Sequence, residues 1–152
     1  MAVLPGGPIA SGQANYTLGG YSVSDDPGFP SEIVRAVPTF GAELRWPLVR
    51  KGRDGASLVL EPVAQLVWSP DTADAVPNED SLLVEFDEAN LFSLSRYPGE
   101  DGSELGLRAN VGLSWTRVDP TGWTLGVVAG RVIRERDLGQ FTLLADILVV
   151  AA

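Results

Sequence analysis

The chain has 152 residues, 45% hydrophobic and only 20% charged, with 17 Gly, 11 Pro, four Trp, one Met and neither Cys nor His. This composition excludes a disulfide framework, a thiolate zinc site, a Cys nucleophile and any His-based triad or HExxH motif, and its Gly and Pro favour turns and strands over helices. A net charge of −9 with Lys51 as the single lysine opposes a nucleic-acid backbone, so nucleic acid is not an expected partner.

Residues 1–12, MAVLPGGPIASG, read as an irregular start that lacks the basic n-region and continuous apolar h-region of a secretory signal. No stretch of the chain approaches the ~18 apolar residues of a membrane helix, which leaves membrane strands open, since these show as alternation and not as runs. A weak strand is expected over Gln13 to Ser24, followed by a connection of intermediate length from Asp25 to Arg35. Phe40, Ala42, Leu44, Trp46 and Leu48 then alternate with Thr39, Gly41, Glu43 and Arg45. After the polar turn Lys51-Gly52-Arg53-Asp54-Gly55, the residues Leu58, Leu60, Ala64, Leu66 and Trp68 share a phase opposite Glu61 and Gln65. Charge suggests the register of this hairpin: Arg45 opposite Glu61 is favourable, whereas the neighbouring register sets Glu43 against Glu61.

Residues 69–104 form a long acidic, Pro-containing connection. The clearest strand follows, with Leu105, Leu107, Ala109, Val111, Leu113 and Trp115 in one phase and Gly106, Arg108, Asn110, Gly112, Ser114 and Thr116 in the other. Asp119-Pro120-Thr121-Gly122 suits a tight turn with Gly in the left-handed position, and Gly122 to Arg134 carries the return strand, with Trp123, Leu125, Val127, Ala129 and Ile133 in phase. A last strand is expected over Gln140 to Val150. The fold class is therefore all-β, an antiparallel up-and-down meander of about six long strands, with short links at one end and long links at the other.

All four tryptophans fall in the apolar phase: Trp46, Trp115 and Trp123 beside the short turns, Trp68 at the long-loop end. Ten steps from Leu58 to Trp68 at ~3.3 Å and a ~40–45° tilt span roughly 23–25 Å, close to the apolar band of an outer-membrane barrel. A soluble β-sandwich or lipocalin-like barrel also alternates and buries tryptophan. Strand length beyond the usual five or six residues, and a polar phase rich in Gly, Ser, Thr, Asn and Arg, favour a wet lumen and a lipid face. On this reading Glu43, Arg45, Glu61, Gln65, Arg108 and Asn110 line the lumen, while Leu44, Trp46, Leu60, Leu66, Leu113, Trp115, Trp123 and Leu125 meet lipid. Gly112→Ser on the lumen side is expected to be tolerated.

The densest carboxylates, Glu79, Asp80, Glu85, Asp87 and Glu88, lack EF-hand spacing and read as solvated loop charge. The pairs Arg45 with Glu61 and Arg108 with Asn110 read as a polar ladder. No catalytic set and no cofactor are implied, so the chain is not expected to be an enzyme.

Certain motifs nevertheless resemble a known family. They are Pro38-Thr39-Phe40, Leu44-Arg45-Trp46-Pro47, Leu60-Glu61-Pro62-Val63-Ala64-Gln65, the loop motif Pro77-Asn78-Glu79-Asp80-Ser81 with Glu85, Asp87 and Asn90-Leu91-Phe92, and Arg108-Ala109-Asn110-Val111-Gly112. Together they resemble the C-terminal barrel region of the lipopolysaccharide-assembly family LptD, or organic solvent tolerance protein, in its alphaproteobacterial branch, over about Tyr16 to Asp137. The resemblance implies a transmembrane outer-membrane β-barrel that encloses an LptE-like lipoprotein, receives lipopolysaccharide from periplasmic bridge proteins through an N-terminal jelly roll, and inserts it into the outer leaflet. It also makes the 69–104 loop extracellular. Domain organisation then reads as an irregular start at 1–12, a partial barrel over 13–137 and a divergent strand over 138–152, for which a truncated or frame-shifted reading frame would account. The chain is expected to be a fragment, located in the cell outer membrane in its full-length context, because about six strands are fewer than the eight of the smallest membrane barrels. A general porin and a soluble sugar-binding sandwich are the alternatives.

Overall fold

The computed structural model describes residues 1–24, 27–70, 91–95, 104–135 and 148–151. Every regular element among them is a strand: β1 (Ala2–Val3), β2 (Ile9–Ser22), β3 (Glu32–Arg45), β4 (Leu48–Lys51), β5 (Ser57–Ser69), β6 (Gly106–Val118), β7 (Thr124–Arg134) and β8 (Leu148–Ala151). They form one antiparallel meander in the order β1-β2-β3-β5-β6-β7-β8, with β4 continuing the line of β3 against β5. The sheet is open, with β1 and β8 at its edges.

Three boundaries differ from the sequence reading. Residues 1–12, expected to be irregular, hold β1 and the start of β2, joined by a short turn in which Leu4 N–H donates to Pro8 C=O at 2.7 Å. β3 begins at Glu32, inside the segment read as a connection. Its inward phase there mixes Ile33 and Val37 with Arg35 and Thr39, which erases the apolar/polar contrast while strand geometry persists. Trp123 lies in the turn and precedes β7. The expected strand over 140–150 is described only from Leu148 onward.

The register between β3 and β5 is also corrected. Arg45 stands opposite Val63 and Glu43 opposite Gln65, so Glu61 is a diagonal neighbour of Arg45 and not its direct partner. This register separates Glu43 from Glu61 and still lets the long Arg45 side chain reach both. The ladder against β5 is interrupted between β3 and β4 at Trp46, because the residue opposite, Pro62, has no N–H to return. Trp46 N–H still bonds Pro62 C=O at 3.0 Å, and pairing resumes in the same register with Leu48 opposite Leu60.

Short turns gather at one end, as the alternation of links anticipated. Gly55 and Gly122 take the left-handed backbone, at φ 84° and 101°. Asp54 Oδ1 accepts from Ala56 N–H at 3.2 Å, and Asp119 Oδ1 accepts from Thr121 N–H at 3.0 Å and from the Thr121 hydroxyl at 2.6 Å. Arg117 ties the two turns together, donating to Asp54 at 2.6 Å and Asp119 at 3.3 Å, with its guanidinium 5.3 Å above the Trp123 ring.

The two faces of the sheet are inverted relative to a soluble protein. In one phase Leu18 is 67% exposed and Leu66 and Ile133 51% each, with Leu44, Trp46, Leu60, Trp68, Leu113 and Leu125 also exposed and Trp115 half-buried. In the other phase Gln65 is 2% exposed and Asn110 is fully buried, beside buried Arg35, Thr39, Ser69 and Arg108. Water would be expected to invert that sorting, since exposed apolar area costs about 25 cal/mol per Å² and buried polar groups cost more again. Lipid outside and a polar interior make it favourable.

Leu113→Arg, at mid-height on the outward face, should therefore cost about 2–4 kcal/mol of folding stability in lipid, read from reversible denaturant titration in vesicles. An equal loss from Ser114→Asn, on the inward face opposite Glu61, would contradict the orientation. At the turns, backbone donation from Ala56 and then Arg117 hold the Asp54 carboxyl below its usual range, and the Thr121 hydroxyl and N–H do the same for Asp119. Because both folded values are depressed, their contribution is complete above the unfolded carboxylate value of ~3.9 and is lost as pH falls through the folded values. Asp119→Asn should remove part of that acid dependence in a pH titration of stability.

Candidate functional site

The inward face is organised in rows that the register fixes. Glu43, Gln65, Asn110 and Val132 stand side by side across β3, β5, β6 and β7, and the next row toward the short turns is Arg45, Val63, Gly112 and Gly130. Asn110 Nδ2 donates to Gln65 Oε1 at 2.6 Å, which aligns the two amides as one buried unit. Arg45 Nε donates to Glu43 Oε1 at 2.6 Å and Nη1 to Glu61 Oε1 at 3.1 Å. The Arg45 side chain is 40% exposed, so this triad is a solvated clamp near the short-turn end.

Onto these rows folds a short segment of the long connection, residues 91–95. Gln65 Nε2 donates to the Phe92 carbonyl at 2.9 Å, and the Arg45 guanidinium lies 6.0 Å from the Phe92 ring centroid. Leu91 is 1% exposed. Its side chain fills the space a Cβ would need on Gly130 and lies against Gly112, where Phe92 also approaches; Leu94 occupies the same space at Gly41. The segment thus crosses the inner face from β7 to β3, seated on glycines in three strands. A sequence-level view of those glycines as lumen spacers misses this role, because the fit depends on residues far away in the chain.

That seat corrects one expectation. A Cβ on Gly112 would stand 2.8 Å from Phe92 and 3.4 Å from the Ala129 carbonyl, so Gly112→Ser is not a neutral lumen change but one that pushes on the covering segment.

Toward the long-loop end, Arg108 forms a buried pair with Glu104 at 3.0 Å and donates to its carbonyl at 2.8 Å, while Arg134 stands 3.6 Å from the same carboxylate. Arg108 therefore belongs to an ionic cluster, which Glu104 and Arg134 join unannounced by any motif. A buried pair of this kind adds little net stability, because the cost of desolvating both charges offsets their attraction. Thr39 and Ser69 share a hydroxyl contact of 2.9 Å beside it.

Of the loop motif, Leu91 and Phe92 lie on the inner face, and Pro77, Asn78, Glu79, Asp80, Ser81, Glu85, Asp87 and Asn90 lie outside the described residues. On the outward face Trp68 stacks on Phe40 with centroids 6.1 Å apart, at the long-loop end. Trp46 Nε1 donates to Gly6 C=O at 3.2 Å at the other end. Arg131, which the apolar-phase reading of β7 passed over, shares this phase opposite Val111 and is half-buried. Among the described residues no three acidic side chains converge as a metal site would need.

A sheet with an apolar exterior, tryptophans toward both rims and a polar interior covered by its own loop has the organisation of a membrane barrel wall. The family model described as LptD, LPS transport system D, matches residues 10–145. The chain belongs to the LptD family. That match runs past Asp137 into the segment read as divergent. LptD proteins are outer-membrane β-barrels of lipopolysaccharide transport, and the open antiparallel meander described above is of that all-β architecture. None of the curated proteins matches the chain.

Replacing Gly130 by Leu should evict Leu91 and free the 91–95 segment while leaving the strands paired. Because the native chain has no cysteine, a single Leu91→Cys reports this directly: a membrane-impermeant maleimide should react slowly in the parent and quickly beside Gly130→Leu. Equal rates would show that the glycine seat does not hold the segment.

Proposed function

We propose that the chain forms part of the wall, lumen face and loop of an outer-membrane translocon that inserts lipopolysaccharide into the outer leaflet. The observation that supports it most is the inverted sheet, with apolar side chains exposed and Gln65, Asn110 and Arg108 buried, in a chain of the LptD family. Short turns face the periplasm and the 69–104 connection faces the exterior. The inward Glu43, Arg45, Glu61, Gln65, Arg108 and Asn110 line the cavity that houses an LptE-like lipoprotein and passes the sugar headgroup, while Trp46, Trp68, Trp115 and Trp123 form the aromatic girdles. Residues 13–137 act as barrel wall, and periplasmic bridge proteins deliver lipid to it.

The mechanism is transport. A hydrated, hydrogen-bonding interior lowers the cost of moving a sugar headgroup past the apolar band, and the outward face keeps the wall in lipid. Residues 91–95 narrow that interior, so passage along this part of the wall requires the segment to lift from Gly41, Gly112 and Gly130.

Depletion of the protein should remove lipopolysaccharide from the cell surface, measured by surface labelling, and a small lipoprotein should co-purify in detergent. Normal surface lipopolysaccharide on depletion would favour a general porin. Recovery in the soluble periplasmic fraction without detergent would contradict the membrane reading.

A further inference from the structure

The outward face carries a second feature at its short-turn end. Arg50 and Arg117 stand in one row across β4, β5 and β6, on either side of Leu58. Two strand spacings of ~4.8 Å separate them, so both guanidinium groups can reach a single phosphate-sized anion over Leu58. One row further up the face, Leu48, Leu60 and Trp115 lie side by side. These apolar residues, with Leu58 and Arg50, line a shallow cleft of about 270 Å³. A cationic rim beside an apolar cleft, at the level of the aromatic girdle, has the chemistry of a phospholipid: phosphate at the arginines and acyl chain along the cleft. Lys51 and Arg53 in the adjoining turn add positive charge at the same end. Arg117 is partly engaged by Asp54 and Asp119, which leaves Arg50, exposed at the rim, as the stronger contributor.

We infer that the β4–β5–β6 outer surface is a binding site for an anionic phospholipid of the leaflet that the short turns meet, with Arg50 and Arg117 on the phosphate and the Leu48–Leu60–Trp115 cleft on an acyl chain. The inference rests on the reading of the outward face as lipid-facing. The site anchors the short-turn end at a defined depth, and the girdle tryptophans make it optically visible.

The test is quenching of the intrinsic tryptophan fluorescence of the intact, detergent-purified protein in vesicles that contain brominated phosphatidylglycerol or brominated phosphatidylcholine. Stronger quenching by phosphatidylglycerol, weakened by added salt, supports the site. Arg50→Gln should lower that preference about fivefold, the factor carried by one cation near an anionic surface. Equal quenching by the two lipids, or a preference that Arg50→Gln leaves unchanged, overturns the site while the membrane reading stands. No quenching by either lipid overturns both.

Discussion

Everything in this sheet depends on one constraint: inside a bilayer, backbone N–H and C=O groups must be paired by protein, because no water is there to take them. Long antiparallel strands meet it, and the side-chain period of two then forces each strand to present one face to lipid and one to the interior. β5 and β6 show the result in its fullest form. Their ladder runs unbroken from Ser57 opposite Val118 to Ser69 opposite Gly106. Leu66 and Leu113 are exposed outside, whereas Gln65 and Asn110 are bonded to each other inside.

The same constraint explains the covering segment. Polar groups on the inner face must find partners, and a lumen lined by Gly leaves room for a loop to supply them. Gln65 illustrates the economy of this arrangement, since its oxygen accepts from Asn110 and its nitrogen donates to the Phe92 carbonyl. The small residues at 41, 112 and 130 set the depth to which Leu91, Phe92 and Leu94 descend. Hydrophobic contact and hydrogen bonding thus act on one short stretch of chain, and the residues that hold it down are distributed over β3, β5, β6 and β7.

Much of the architecture was legible because alternation is a local signal. β6 was readable from its residues alone, since apolar and polar or small side chains separate cleanly there. β3 was readable only in its second half, because Ile33 and Val37 share the inward phase with Arg35 and Thr39 and cancel the contrast. The Arg45–Glu61 contact is legible from charge, but its register is not. Arginine reaches diagonally as well as straight across, and here it spans to Glu61 while also bonding Glu43 two residues back. The seat of Leu91 and the Glu104–Arg108–Arg134 cluster were not legible, because each joins segments whose proximity no periodicity encodes.

The central claim is that odd-numbered positions of β6 face lipid and even-numbered ones face the interior. Site-directed spin labels placed singly along residues 107–115 of the membrane-embedded protein test it most directly, through collision rates with apolar oxygen and with a water-soluble nickel chelate. The account requires oxygen accessibility to peak at 107, 109, 111, 113 and 115 and to fall at the positions between them, with a period of two. Peaks at the even positions, or nickel accessibility at Leu113 as high as at the turn, would contradict it.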